Sequence, residues 1–192
     1  DRPAFTRREI YMVVNGYGHE DYRLFQTRRK LNSYANAARQ IGAKYGFSME
    51  FGSPYSTHVH HRYVQDFPEA FQGRPDYFAL TNRGRRVYPR KYFALPEADR
   101  KQDLKGQVCM SHPDVRDIFA DKLRVYIERD RKEIRKAGTG EPFPTVYSLM
   151  PADGSSGKCF CEACLAKAEK YGSYAGVVLE FTNSVAEEIA AE

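Results

Sequence analysis

The sequence predicts an α/β fold made of parallel β/α units, of the TIM-type (β/α)8 barrel kind. Three observations lead there. Apolar runs bounded by turn residues alternate with segments whose apolar positions recur at helical spacing. The first fifty residues read strand, helix, strand, the unit a parallel sheet requires. A short apolar run then ends at Pro151 and leads Asp153 into a Gly/Ser loop, as a barrel strand brings an acid to its rim.

Arg8 to Val14 is apolar and β-branched enough for a strand, and Asn15-Gly16-Tyr17-Gly18 stops it. From Leu24 to Tyr45, residues Leu31, Tyr34, Ala35, Ala38, Ile41 and Tyr45 follow helical spacing, and Gly46 closes the segment. Phe47 to Phe51 is a short strand, ended by Gly52-Ser53-Pro54. Residues 52–105 form a long loop region rich in Pro, Gly, His and aromatics; so long a connection is uncommon unless it performs a function. Lys105 to Met110 resumes strand character. Pro113 to Ala137 is the clearest helix, with Ser111 and Asp114 resembling a capping box and Pro113 suited to the first turn. Its stripe runs Val115, Ile118, Phe119, Lys122, Tyr126, Ile127 and Ile134, with Lys122 the polar exception, and Gly138 ends it.

Phe143 to Met150 is the next strand, Cys161 to Tyr171 a short helix, and Tyr174 to Glu192 a last helix on Val177, Val178, Phe181, Val185 and Ile189. Asn183, inside that stripe, reads as a buried packing residue. Four strands begin a (β/α)8 barrel but do not close one. The expectation is therefore a single (β/α) domain over residues 1–192, the N-terminal half of a larger barrel and incomplete in this chain.

The composition is that of a globular protein: 42% hydrophobic, 29% charged, with 14 Tyr and 12 Phe. No run reaches the roughly 18 apolar residues of a membrane span, and the first residues carry no signal-peptide pattern. The net charge of +5 comes from short basic pairs in mixed-sign surroundings, not a stripe, which argues against nucleic acid as partner.

Cysteine usage is more informative. Cys159, Cys161 and Cys164 form a C-x-C-x-x-C turn, and Cys109 lies fifty residues upstream at the end of a strand-like run. Cys109 meets the other three if both strand ends share one rim. Two disulfides in an oxidising compartment, a four-thiolate structural zinc site and free thiols are the alternatives, and the spacing differs from paired C-x-x-C knuckles.

Several pieces in order resemble one family. They are His58-Val-His60-His61 with Arg62-Tyr63, Pro68-Glu69, Pro75 to Gly84, Gln107 to Val115, Asp153 with the three later cysteines, and Leu179 to Asn183. Their order is similar to the "domain of unknown function 4838" family of bacterial carbohydrate-associated proteins, well over about residues 45–192 and loosely before that. The Lys91 to Arg100 stretch departs from the pattern as an insertion. The resemblance implies a sugar-binding (β/α)8 barrel similar to glycoside hydrolases of the α-glucuronidase and hexosaminidase type, in a secreted or periplasmic setting. It transfers no catalytic residue.

Glycoside hydrolysis needs two carboxyls, ~5–5.5 Å apart for retention or ~6.5–9.5 Å for inversion. Asp153, just past a strand end, is the candidate catalytic acid, base or sugar clamp; its plainer reading is a turn or helix cap. Glu50, His58, His60, His61 and Tyr63 are candidate substrate contacts, with His58 and His60 on one side if their segment is extended. The leading expectation is a carbohydrate-active protein, a glycoside hydrolase or close relative acting on a bacterial, plant or host oligosaccharide or polysaccharide, requiring no cofactor beyond a structural zinc at Cys109, Cys159, Cys161 and Cys164. A non-catalytic glycan-binding module is the alternative, and an interaction domain stabilised by a metal on the four cysteines is the third.

Overall fold

In the computed structural model of the chain, the described residues are 52–54, 58–100, 104, 107–138, 147–151 and 158–190. The strands expected at 8–14 and 47–51 and the helix expected at 24–45 lie outside them. Two compact units divide the chain, Asp1–Gly52 with Asp130–Val146, and Ser53–Arg129 with Tyr147–Glu192. The core and the site described below belong to the second.

The described residues are helical, and this overturns the expected β/α barrel. Their order is α1 (His60–Asp66), α2 (Arg90–Ala94), α3 (Pro113–Ala137), α4 (Glu162–Lys170) and α5 (Tyr174–Ala190), with 3-10 turns at Pro68–Ala70, Pro75–Tyr77 and Glu97–Asp99. Among these residues β pairing is limited to two isolated antiparallel bridges, Phe78 with Val108 and Leu80 with Arg86. There is no sheet among them and hence no barrel. The run from Lys105 to Met110 yields only the Val108 bridge. Tyr147 to Met150, the described end of the next expected strand, joins no ladder; Met150 instead accepts the Val59 N–H just before α1. Apolar, β-branched content in these runs reports burial, and here helices supply the burial.

Phe119 on α3 organises the core. Its ring stacks on Tyr63 of α1 at 4.2 Å and meets His60, Phe71 and Phe181 edge-on. The buried side of α3 is Val115, Phe119, Ala120, Leu123 and Tyr126, close to the expected stripe. Lys122 lies beside it as an amphipathic arm, its ammonium 3.2 Å from Glu69 and 4.9 Å from the Phe67 ring centroid. On α5 the buried side is Val177, Phe181 and Val185, whereas Asn183 is exposed rather than buried.

The long 52–105 region is not structureless. Its inserted stretch after Lys91 carries most of α2, and Tyr92 and Phe93 bury into the core. Thr81 to Arg86 turns back on itself: Thr81 N–H donates to Arg85, Val87 N–H donates to Ala79, and the Arg86 guanidinium caps the Phe78 carbonyl at 2.7 Å. Asp114 serves α3 differently from the expected capping box, accepting the Tyr77 hydroxyl at 2.7 Å and Arg74 at 3.2 Å.

Candidate metal centre

Two chain segments, one at Cys109 and one from Cys159 to Cys164, deliver four cysteines to one point. The Tyr77–Leu80 segment lies between two others. On one side Cys109 N–H donates to Tyr77 and Ala79 N–H donates to Gln107; on the other, Phe160 N–H donates to Leu80. Cys109 and Cys159 are thereby held on either side of a shared strip of backbone. Cys161 is the cap residue of α4 and Cys164 faces inward from its first turn. Tyr174, the first residue of α5, accepts the Cys159 N–H at 2.7 Å and fixes the lead-in.

Sulfur–sulfur distances decide what the cluster is built for. Cys109 lies 3.6 Å from Cys161, 3.7 Å from Cys159 and 3.8 Å from Cys164, and all four sulfurs lie within 4.8 Å of one another. A disulfide brings two sulfurs to about 2.05 Å, and the four cysteines are free. A tetrahedron of thiolates at about 2.3 Å from zinc has edges of about 3.8 Å. The three distances from Cys109 match that edge, and the four sulfurs together could hold one ion.

Electrostatics agree. Hydrogen bonding from Cys109 and then Cys164 holds the Cys159 thiol far below the usual cysteine range, helped by the Leu80 N–H at 3.2 Å. Cys109 is pushed far up by its bond to Cys159, its bond to Cys164 and burial. Cys164 is drawn down by Cys109 but raised more by Cys159 and burial, to about 11; its thiol donates to Ser111 Oγ at 3.1 Å. Charge is favoured on Cys159 and disfavoured on Cys109 and Cys164 beside it. A divalent cation is the charge that allows all four to ionise.

The model of the family described as "Domain of unknown function (DUF4838)" matches residues 1–192. The chain belongs to the DUF4838 family. No curated protein and no solved structure matches it.

Of the other sequence-derived site residues of this DUF4838 chain, those described do not join the cysteine group. Asp153 and Glu50 lie outside the described residues. His60 is 1% exposed and opens α1, so the His58–His61 segment is not a single extended run. Its Nε2–H donates to the Leu149 carbonyl at 3.1 Å and its Nδ1 accepts from the Gln107 amide at 2.9 Å, which engages both ring nitrogens. Burial lowers its pKa to about 4, so the ring is neutral at pH 7. Tyr63 is fully buried against Phe119. His58 is half-buried and donates from Nδ1 to the Pro151 carbonyl at 3.1 Å, while His61 is half-buried beside His60. Among the described residues the cysteines are the one group placed to hold a metal ion. Sequence reasoning assigned Ser111 to a helix cap, and it had no signal for the Leu80 amide, since any residue carries that donor.

Proposed function

We propose that this chain is a metal-dependent interaction domain in which one zinc ion on Cys109, Cys159, Cys161 and Cys164 holds two chain segments together. The convergence of four free thiols, with the three distances from Cys109 near a tetrahedral edge, supports the reading. With four thiolates in place, zinc keeps no open position for water or substrate, so its role is structural rather than catalytic. It clamps the Gln107–Cys109 segment to the start of α4, and through Leu80 it anchors the turn from Thr81 to Arg86.

The test is metal analysis of the full chain purified under reducing conditions. The expected result is one zinc per chain, thiolate charge-transfer and tetrahedral d–d bands on cobalt substitution, and loss of the cooperative thermal transition on chelation. A metal-free chain that melts at an unchanged temperature would sink the proposal, as would a Cys109→Ser variant with full zinc content and stability.

As partner we propose an oligosaccharide, the class the resemblance implies. The hydrolase form of that reading rests on Asp153. Glycan turnover that Asp153→Asn abolishes while leaving binding intact favours an enzyme. Binding with no turnover by either protein favours the module.

A further inference from the structure

The turn from Thr81 to Arg86 and helix α2 frame an open cleft of about 720 Å³, with Leu104 also in its lining. This is the size of a small-ligand site rather than a groove that tracks a polymer. Its lining is one-signed among the described residues: Arg85, Arg86, Arg90 and Lys91 line it, and none of the described lining residues is a carboxylate. Arg86 is spent on the Phe78 carbonyl. Arg85, Arg90 and Lys91 are exposed and pair with no acid among the described residues, whereas Arg74 nearby is taken by Asp76 and Asp114.

Two tyrosines complete the lining, and their packing narrows the ligand further. The Tyr88 ring stacks on Phe93 at 5.1 Å and meets Phe78 edge-on, and its hydroxyl accepts the Gly73 N–H. Tyr92 is buried, packed edge-on against Phe93 with the Arg100 guanidinium 5.9 Å from its ring centroid. Rings committed in this way are walls, not platforms. Single-stranded nucleic acid relies on open aromatic faces for its bases, and the cleft offers none. What remains is a set of unpaired cations on an open, half-apolar cleft, with guanidinium forks that match planar oxyanions.

We infer that this cleft is an oxyanion-binding site, formed by Arg85 and Arg90 with Lys91, that takes a small polar molecule carrying carboxylate or phosphate groups. The cations are observed independently of the cysteine cluster, so the site stands or falls apart from the zinc proposal.

Isothermal titration of the full chain with trigalacturonate, maltotriose, inorganic phosphate and a short oligothymidylate tests the inference. Either trigalacturonate or phosphate should bind at least about tenfold more tightly than maltotriose, with an affinity that falls as salt rises. A preference for trigalacturonate identifies a carboxylated saccharide as the source of the anion, and a preference for phosphate identifies a phosphorylated one. Combining Arg85→Ala with Arg90→Ala should weaken binding about tenfold or more while the melting temperature holds, because both side chains are exposed. The corresponding double lysine variant should retain only part of the affinity, since lysine keeps the charge and lacks the fork, and Arg62→Ala, which removes an exposed cation of α1, should change nothing. Equal affinity for maltotriose, tighter binding of the oligothymidylate, no binding of either anion, or an unaffected double alanine variant would each overturn it.

Discussion

At His60 two hydrogen bonds select one tautomer, and burial selects the neutral form. Its folded pKa of about 4 lies below the value of 6.5 expected when unfolded. As pH falls, the unfolded chain therefore takes up this proton first. The stability contributed by neutral His60 is complete above about pH 6.5 and is lost as pH falls toward 4, about 3 kcal/mol in all. With metal kept saturating, His60→Gln should flatten the slope of unfolding free energy against pH across that window; an unchanged slope in urea titrations refutes the assignment. Tyr63 presents the opposite case. Its ring packs well, but its buried hydroxyl has no hydrogen-bond partner among the described residues, and burial raises its pKa. Tyr63→Phe should raise stability by about 1 kcal/mol, since it removes an uncompensated polar group and keeps the ring. A variant less stable than the parent would show that the hydroxyl is satisfied. The sequence marked both residues as notable but not which way they face, because a histidine reads alike on a sugar and in a core.

Helices α4 and α5 form an antiparallel hairpin across Tyr171 to Ser173. Gly172, at φ +66°, supplies the left-handed turn that ends α4. Lys167 and Tyr171 converge on Glu180 of α5 and hold its carboxyl below the usual range, Lys167 contributing most. This brings the Tyr171 side chain over Gly176, where an added Cβ would sit 2.3 Å from the Tyr171 Cβ. Gly176→Ala should therefore cost about 1–3 kcal/mol in thermal or urea unfolding, and pairing it with Tyr171→Gly should recover part of the loss. Equal losses in the single and double variants would show that the clash is not the cause. Elements of this kind were legible: α3, α4 and α5 fall where the 3.6-residue periodicity puts them, because a buried stripe leaves a repeating trace. The described parts of two expected strands, Gln107 to Met110 and Tyr147 to Met150, were misleading, since a short apolar run reads the same in a sheet and in an irregular strip under helices.

For the molecule as a whole, the predicted barrel required a sheet that the described residues do not contain, and the family assignment rests on ordered motifs rather than on that architecture. The meeting of Cys109 with the later cysteines was open in the sequence because it depends on tertiary structure. If zinc fixes Leu80, chelation should also weaken anion binding at the neighbouring turn, measured as a fall in trigalacturonate or phosphate affinity; an affinity indifferent to chelator would separate the two sites. One further consequence follows from the distance along the chain between the ligands. Cys109 and Cys159 are 50 residues apart, and the stretch between them leaves the second compact unit and returns to it. A bond across so large a ring restricts the unfolded chain by about 4 kcal/mol on loop-closure reasoning. It also gives the intervening backbone a second tether: in a chain severed between Gly138 and Tyr147 the metal would still cross-link the two pieces, adding to the packing of Phe119 on Phe181, and chelation should loosen that two-piece protein more than it loosens the intact one.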